Sequence, residues 1–333
     1  MNDYSVDLLD HFTAPVRKWL DEDGVTEVII NKPNEVAVER RGEWQWYDVK
    51  ELDLDWLQDW GNLMANYTKQ DLTKNTPLCS TSLPTGERVQ IVAPPAVETG
   101  YFSIAIRKPS DITLTMDNLG EGGLFDKTAK SGNLKDGAQE KLLKLYEAGE
   151  WQKFLTQAVL AKRNILISGA TGSGKTTLSK ALIEKIPAHE RVLTIEDTRE
   201  LVAPQKNHVH MIYSKGGQGQ ANISAKELLE ASLRMRPDRI LLQELRDGTA
   251  FYYLRNVNSG HPGSITTVHA DSAALAFEQL TLLVKESDGG SDLARDDIRS
   301  LLHLLVDIVV QCKKIGGEFL VTEIWFSDAE NKI

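Results

Sequence analysis

The sequence predicts an α/β protein in which a mainly parallel sheet covered by helices follows a smaller α+β region. Two observations support this fold class. Between residues 164 and 268, apolar strand-like runs alternate with helical patterns, which is typical of a parallel sheet with helices on both faces. Up to about residue 109, short strand-like runs alternate with turns and one helical pattern, as in an α+β domain.

A change in composition separates the two regions. From 110 to 137 there is no sustained periodicity, and glycines lie among Asp, Lys, Ser and Thr residues, which is the composition of a flexible connection. We therefore expect an N-terminal α+β domain at 1–109, a flexible linker at 110–137 and a larger α/β domain at 138–333.

The individual elements are predicted from periodicity and turn chemistry. In the first region they are strands at 25–30, 35–39, 88–92 and 102–107 and a helix at 55–68. In the second region they are strands at 164–168, 191–195, 208–213, 239–243 and 264–268, a helical pattern at 139–162 with a break at Gly149, and helices at 175–185, 224–236 and 247–257. Ser224 and Glu227 have the spacing of a capping box, which supports a helix start there. A closing hairpin is predicted at 308–314 and 319–326, around Gly316 and Gly317.

Composition limits the classes of function. The 333 residues carry a net charge of −10, which argues against extensive direct binding of nucleic acid. With only Cys79 and Cys312, neither a disulfide framework nor a four-cysteine zinc site is possible. The first residues lack the features of a secretory signal, and the most apolar late run, 301–312, is too short to span a membrane. We expect a cytoplasmic protein that acts on protein partners.

A complete GxxxxGK[ST] pattern lies between the strand at 164–168 and a helical pattern, which is the context that this motif requires. The motif consists of Gly169, Ala170, Thr171, Gly172, Ser173, Gly174, Lys175 and Thr176, followed by Thr177. Its glycines allow backbone N–H groups to approach phosphate oxygens, and the helix start adds a favourable potential. Lys175 is expected to reach the β- and γ-phosphates of ATP, and Thr176 to hold Mg²⁺. The alternative is a glycine-rich loop that binds nothing, and the context argues against it.

Three other predicted strands end in polar residues. Glu196 and Asp197 follow the strand at 191–195, Glu244 follows Gln243, and His269 follows the strand at 264–268. Ligands of open α/β sheets bind outside the carboxyl ends of the strands, so these side chains are expected around the γ-phosphate.

Each of these residues has a structural alternative. Glu244 is expected to orient or deprotonate the attacking water, the alternative being an ion pair with Arg246. Glu196 is expected to fix a magnesium-bound water or to share that role, the alternative being a pair with Arg199. His269, together with His261, is expected to sense the γ-phosphate, the alternative being ordinary structural histidines.

Several arginines are candidates for neutralising the negative charge of the transferred phosphoryl group. Arg88 and Arg107 lie on predicted strands of the first region, and Arg234 and Arg236 precede Pro237. Any of them is suited to neutralise γ-phosphate charge, within the chain or from a neighbouring subunit. Surface or inter-strand ion pairs are the alternative for each.

Taken together, these residues resemble the type II/type IV secretion ATPase superfamily, and more closely the hexameric traffic ATPases of type IV secretion and conjugation systems. The resemblance covers nearly the whole chain, and its boxes occur in the family's order. The stretches that carry it are 24–33 (GVTEVIINKP), 83–90 (LPTGERVQ), the GxxxxGK[ST] loop, 195–197 with Glu200 and Leu201 (the Asp box), 233–246 (the Walker B segment) and 259–270 (the His box).

The resemblance implies a RecA-like P-loop ATPase domain after a smaller N-terminal α+β domain. It assigns the ATP phosphates to Gly172, Ser173, Gly174, Lys175, Thr176 and Thr177. It makes Glu196 and Glu244 the catalytic or metal-orienting carboxylates and His269 the His-box residue. It further implies that Arg88 and Arg107 complete the nucleotide site and that Arg236 reports on a neighbour in the ring. Gln243 departs from the pattern, because the family commonly has Gly there.

The resemblance also implies a homohexameric ring at the inner face of the cytoplasmic membrane. Such a ring would dock on inner-membrane components and a partner ATPase, and would drive channel or pilus assembly and movement of substrate. The linker at 110–137 is long enough to let one chain's second domain pack beneath a neighbour's first.

Three rival functions remain open at this point. A type II secretion or pilus-retraction ATPase is the nearest, although the extension and general-secretion types usually carry a four-cysteine zinc insert that two cysteines cannot form. A small-molecule kinase would need an acceptor pocket and a lid. A nucleotide-gated scaffold without hydrolysis is disfavoured by the joint presence of Lys175, Thr176 and Glu244.

Overall fold

The computed structural model describes residues 3–109, 114–130, 137–214, 221–258 and 260–330. Its first part is an antiparallel sheet with two helices on one face. The sheet has the strand order β3-β2-β1-β6-β5-β4. The elements are α1 (Asp3–Leu20), β1 (Val25–Ile30), β2 (Glu35–Arg40), β3 (Glu43–Asp48), α2 (Leu54–Tyr67), β4 (Leu78–Ser82), β5 (Arg88–Val92) and β6 (Ser103–Arg107).

Both faces of this sheet are covered, which explains the near-continuous apolar runs in β1 and β2. Val36 and Val38 pack into a core with Trp60 of α2. Ile29 and Ala37, which alternate with the residues of that core, belong instead to a core shared with the second region. Strand alternation thus places one set of side chains against the helices and the other against the rest of the chain.

In the first region, strand β4 was not predicted, and neither were two further elements, α1 and β3. Helix α1 contains Pro15 in its interior, a residue that normally ends a helix. Its apolar face, which includes Leu9, Val16 and Trp19, is nevertheless buried against the sheet and α2. Strand β3 has no fully buried residue, and its pairing with β2 is the main feature that defines it. In both cases tertiary packing outweighs the local signal.

The second region alternates helices and strands, as predicted, and the α/β fold class is confirmed. The helices at 116–121, 273–285, 295–305 and 327–330 were not predicted. The elements are α3 (Met116–Glu121), α4 (Gly137–Glu147), α5 (Trp151–Leu160), β7 (Ile165–Ser168), α6 (Lys175–Ile183), β8 (Val192–Glu196), β9 (His208–Ile212), α7 (Ala225–Ser232), β10 (Arg239–Leu242), α8 (Thr249–Asn258), β11 (Ile265–Val268), α9 (Ala273–Lys285), α10 (Arg295–Leu305), β12 (Ile308–Ile315), β13 (Glu318–Phe326) and α11 (Ser327–Glu330).

The strands of this region form two hydrogen-bonded sets, β10-β8-β9 and β11-β7-β12-β13. A parallel bridge between Glu244 and Thr267 connects the sets, so the strands run in the order β9-β8-β10-β11-β7-β12-β13. Gln243 takes part in the connection. Its N–H donates to the carbonyl of Ile195 at 3.0 Å, and its own carbonyl accepts from the N–H of Thr267 at 3.2 Å. All of these pairings are parallel except β12 with β13.

The capping box before α7 is confirmed. Ser224 Oγ accepts from the Glu227 N–H at 3.2 Å, and Glu227 Oε2 accepts from the Ser224 N–H at 2.8 Å. The exchange satisfies two N–H groups that a helix start leaves free.

Residues 114–130, within the predicted linker, include α3 and bury no side chain. Parts of that linker, 110–113 and 131–136, lie outside the described residues. The domain boundaries at 109 and 137 stay a prediction. Among the residues that the structure describes, no helix is both long and apolar enough to cross a membrane.

Candidate active site

The GxxxxGK[ST] loop connects β7 to α6 at the carboxyl edge of the sheet. Gly172 and Gly174 have φ values of +71° and +90°, a region that L side chains rarely adopt. At Gly169 the constraint is space, because an added Cβ would lie 2.5 Å from the Cys312 carbonyl oxygen. Glycine at these three positions is therefore required by the backbone, and the loop is held tightly against β12.

Lys175 begins α6 and is only 8% exposed. Its Nζ donates to the carbonyl oxygens of Gly169 at 2.7 Å and Ala170 at 3.0 Å. Burial lowers the pKa of this ammonium group, and the nearby carboxylate of Glu244 opposes that effect. The side chain is thus folded back over its own loop, with a carboxylate from another strand close by.

The rest of the loop offers polar groups. The hydroxyl of Ser173 is buried and has no hydrogen-bond partner. Thr176 is half-buried and Thr177 exposed in the first turn of α6. A buried hydroxyl without a partner is costly, so the loop has unused hydrogen-bonding capacity suited to a polar ligand.

Glu244 follows β10 at the same edge, and its side chain is 11% exposed. Its Oε2 lies 2.6 Å from Arg246 Nη2, so the ion pair considered as the structural alternative is present. Its Oε1 lies 2.6 Å from His269 Nε2, a contact without hydrogen-bond geometry that leaves Oε1 without a hydrogen-bond partner. Arg246 also donates to Asp197 Oδ2 at 2.6 Å. The structure brings Lys175, Glu244 and His269 to one edge.

The sequence predicts for Arg246 only a possible ion pair with Glu244. Its contacts with both Glu244 and Asp197 show that it connects the ends of two strands. Attraction to these two carboxylates raises its pKa. The only sequence signal for this role is its position two residues after Glu244.

Glu196 lies at the end of β8, three strands from β7, which corresponds to about 14 Å. Its fully buried Oε1 accepts from the N–H groups of Glu200 at 2.9 Å and Leu201 at 2.8 Å. Burial raises the pKa of this carboxyl group. Arg199, the proposed structural partner, instead pairs with Glu98. The role of Glu196 in holding metal or water stays a prediction.

Arg88, Arg107 and Arg236 line one cavity of about 890 Å³ together with Glu27 and Glu39. Arg236 precedes β10, so this cavity lies at the amino edge of the parallel sheet. The GxxxxGK[ST] loop lies at the opposite, carboxyl edge. Within one chain the structure does not bring these arginines to Lys175. Their contact with nucleotide stays a prediction that concerns a neighbouring subunit.

His261 also lies on the amino-edge side, because it precedes β11. It makes a hydrogen bond with the backbone of Pro237, and burial lowers its pKa. The two histidines therefore lie at opposite edges of the sheet, although both were expected near the γ-phosphate.

Residues suited to a divalent cation are few. Within the described ranges, no three His, Cys, Asp or Glu side chains are grouped closely enough to hold a metal ion. Thr176 provides one hydroxyl oxygen at the loop. Mg²⁺ commonly takes one or two protein ligands and completes its shell with phosphate and water oxygens, so this donor set fits Mg²⁺ only together with a nucleotide.

Comparisons with known proteins agree with this geometry. Residues 139–329 match the family model of the type II/IV secretion system proteins. The chain is 52% identical over 324 residues to the type IV secretion system protein VirB11 of Bartonella quintana (strain Toulouse), an alignment that covers 94% of this chain and 91% of the relative. It is 42% identical over 318 residues to VirB11 of Brucella suis biovar 1, covering 94% and 88%.

A solved structure matches over almost the whole length. It is the VirB11 ATPase from the Brucella suis type IV secretion system in complex with sulphate, which superposes with a TM-score of 0.92 at 40% identity. The match covers 99% of this chain and 98% of that one.

Proposed function

The chain belongs to the family of type II/IV secretion system proteins, and on that premise we propose that it is the ATP-hydrolysing motor of a bacterial type IV secretion system. The observation that carries the proposal is the meeting of Lys175 and Glu244 at the carboxyl edge of one sheet. The similarity to VirB11 proteins over 94% of the chain favours type IV secretion over a type II secretion or pilus-retraction ATPase.

The loop is suited to hold a polyphosphate. Left-handed backbone at Gly172 and Gly174 forms the turn that leads into the start of α6, where the helix dipole favours negative charge. The unpartnered Ser173 hydroxyl lies within the same loop. On binding, Lys175 exchanges the carbonyls of Gly169 and Ala170 for the β- and γ-phosphate oxygens. Thr177 is proposed to donate to another phosphate of the same nucleotide.

Hydrolysis transfers the γ-phosphoryl group to water. The water oxygen forms a bond to phosphorus, the bond from phosphorus to the β,γ-bridging oxygen breaks, and the proton of the water passes to Glu244. Arg246 and His269 contact the two oxygens of Glu244 and so orient it. Mg²⁺, when bound with ATP beside Thr176, would neutralise charge on the phosphate oxygens.

Two further assignments belong to this proposal. Glu196, though three strands from β7, is proposed to fix a magnesium-bound water after rearrangement of the loop that now holds its Oε1. Arg88, Arg107 and Arg236 are proposed to act on the nucleotide of a neighbouring subunit, since arginine fingers commonly work in trans.

The assembly is proposed to be a homohexamer in the cytoplasm, peripheral to the inner face of the cytoplasmic membrane. It would dock on inner-membrane components and on a partner ATPase, and energise channel or pilus assembly and substrate movement. With a net charge of −10, direct nucleic-acid binding is expected to be limited.

The test is ATP hydrolysis by the purified chain with no acceptor present, with Mg²⁺ and with a chelator. We expect turnover that requires Mg²⁺ and is abolished in Lys175→Ala, while Lys180→Ala, which removes another cation of α6, retains it. Undiminished hydrolysis in Lys175→Ala would refute the proposal. Turnover that depends on an added small molecule would point to a kinase.

A further inference from the structure

We infer that Phe319 forms the surface against which the base of the bound nucleotide stacks. The inference deepens the proposed function and rests on it, because it requires that the nucleotide's phosphates occupy the loop before α6. In that proposal the loop and Lys175 bind the phosphates, and the base requires a surface of its own.

The position of the ring is the first observation. Phe319 lies near the start of β13, just after the Gly316–Gly317 turn, and is paired with Lys314. A Cβ added at Gly174 would lie 3.4 Å from its Cδ1 and 3.6 Å from its Cβ and Cγ. The phenyl ring therefore touches the last residue of the phosphate-type loop, next to Lys175.

The second observation is its exposure. Phe319 is 62% exposed although it contacts the loop. A single exposed apolar side chain needs no explanation by itself, but an accessible aromatic ring in contact with a nucleotide-binding loop is suited to stack on a base. Lys314 Nζ lies over the ring, 5.2 Å from its centroid, so a base that stacks on that face takes the place of the ammonium group.

The third observation is a largely apolar depression beside α6, which is lined by neighbours of Phe319 on β13 but not by Phe319 itself. Val321 and Leu178 line this depression of about 410 Å³ between β13 and α6. Leu178 is one helical turn from Gly174, whose carbonyl accepts its N–H at 3.0 Å. Apolar side chains thus lie next to the loop. This arrangement suits a nucleotide, in which a planar base is attached to a charged phosphate chain. Stacking of this kind is tolerant of base identity, so modest discrimination between ATP and GTP is expected.

The test measures affinity with and without a base. Binding of ATP, ADP and inorganic tripolyphosphate, each with Mg²⁺, is followed by calorimetry for the full chain and for Phe319→Ala. We expect ATP and ADP to bind about 5- to 100-fold more weakly, because base–aromatic stacking contributes on this scale. Tripolyphosphate affinity is expected to be unchanged, and Phe319→Tyr, which keeps a ring, to bind ATP like the unaltered chain.

Leu320→Ala is the matched control. Leu320 is the next residue of the same strand, is 42% exposed and points to the other face of the strand, so its loss should leave all three affinities unchanged. ATP affinity of Phe319→Ala within about twofold of the unaltered chain would overturn the inference. Equal weakening of ATP and tripolyphosphate would also overturn it, because the loop itself would then be disturbed.

Two measurements separate this inference from the proposed function. If Lys175→Ala loses tripolyphosphate affinity while Phe319→Ala keeps its ATP affinity, only the base contact is wrong. If Lys175→Ala binds all three ligands normally, the phosphate assignment fails as well. The mass of each variant complex completes the test. A smaller assembly in Phe319→Ala with unchanged ATP affinity would assign the ring to a subunit contact and overturn the inference.

Discussion

The two edges of the parallel sheet use charged residues in opposite ways. At the carboxyl edge, the buried Ser173 hydroxyl and Glu244 Oε1 have no hydrogen-bond partner. At the amino edge, the fully buried Arg239 is bonded to Glu190 at 2.6 Å and to the carbonyls of Val159 at 2.8 Å and Gly263 at 3.2 Å. At the carboxyl edge the unpartnered atoms lie at the GxxxxGK[ST] loop and the strand end beside it, whereas at the amino edge Arg239 and Arg191 are bonded to several protein groups, although Arg191 Nη2 and Asn207 Nδ2 also have no partner.

The amino edge also joins the two regions of the chain. Arg191 is fully buried and donates to the carbonyl of Met235 at 2.8 Å and to Asn31 Oδ1 at 2.7 Å. Asn31 belongs to the first region and hydrogen-bonds Asn207 of the second at 3.0 Å. We propose that the buried charges of Arg191 and Arg239 at the amino edge hold the protein together, whereas the charges at the carboxyl edge act on the nucleotide.

The largest expected effect concerns Glu244. In Glu244→Gln the amide cannot accept the proton of the attacking water, so turnover should fall about 10²- to 10⁴-fold. ATP affinity and the mass of the complex should be retained, and the free energy of unfolding should change little. Steady-state hydrolysis with urea unfolding checks this. Undiminished turnover would show that another group activates the water.

At the opposite edge, Arg191→Met should reduce stability. The substitution leaves the oxygens of Asn31 and Met235 buried without a donor, and the free energy of unfolding should fall by about 3 kcal/mol. Arg234→Met, at an exposed arginine nearby, should change it by no more than about 0.5 kcal/mol. Urea unfolding measures both. An Arg191→Met chain as stable as the unaltered one would contradict the cohesive role of this edge.

The third prediction concerns pH. Burial raises the pKa of Glu27 to about 7, with Arg107, Arg191 and Arg236 opposing the effect and Glu39 adding to it. The folded state therefore holds this proton more tightly than the unfolded state. The resulting stabilisation is complete below the ordinary pKa of 4.5 and is lost as pH rises through about 7.

Glu27→Gln should remove that part of the pH dependence. We expect the decline in unfolding free energy between about pH 4.5 and pH 7.5 to become smaller by about 3 kcal/mol. Exposed Glu43→Gln, in the same sheet, should keep the decline of the unaltered chain. Identical pH profiles for Glu27→Gln and the unaltered chain would contradict the burial argument.

The smallest effect is expected for the pair of Arg236 with Glu39, which connects the two regions across the amino-edge cavity. Arg236 Nε donates to Glu39 Oε2 at 3.1 Å, but its side chain is partly exposed. A double-mutant cycle with Arg236→Gln and Glu39→Gln should give a coupling free energy of about 1 kcal/mol. A coupling free energy near zero would show that the pair does not help to hold the two regions together. Arg236 would then be available to a neighbouring subunit.

The carboxyl edge could be predicted from the sequence because its signals are local. The loop from Gly169 to Thr176 has a fixed pattern, and the strand before Glu244 ends at a readable boundary. Since parallel strands point the same way, their carboxyl ends must share one edge. Lys175, Glu244 and His269 follow from these facts alone.

What could not be predicted depends on strand order and long-range packing. β10 and β11 lie between β8 and β7, which separates Glu196 from the loop, and no local pattern encodes that order. The amino-edge position of Arg88 and Arg107 depends on how the first region packs on the second. Helix α1 was hidden by Pro15, whose local preference is outweighed by burial of an apolar face.

The most direct test of the central claim is a structure of the chain with Mg²⁺ and a non-hydrolysable ATP analogue. The account predicts the triphosphate in the loop, with Lys175 Nζ moved from the carbonyls of Gly169 and Ala170 to phosphate oxygens and Glu244 facing the γ-phosphate. A nucleotide bound elsewhere, or Glu244 turned to solvent in every subunit, would contradict it.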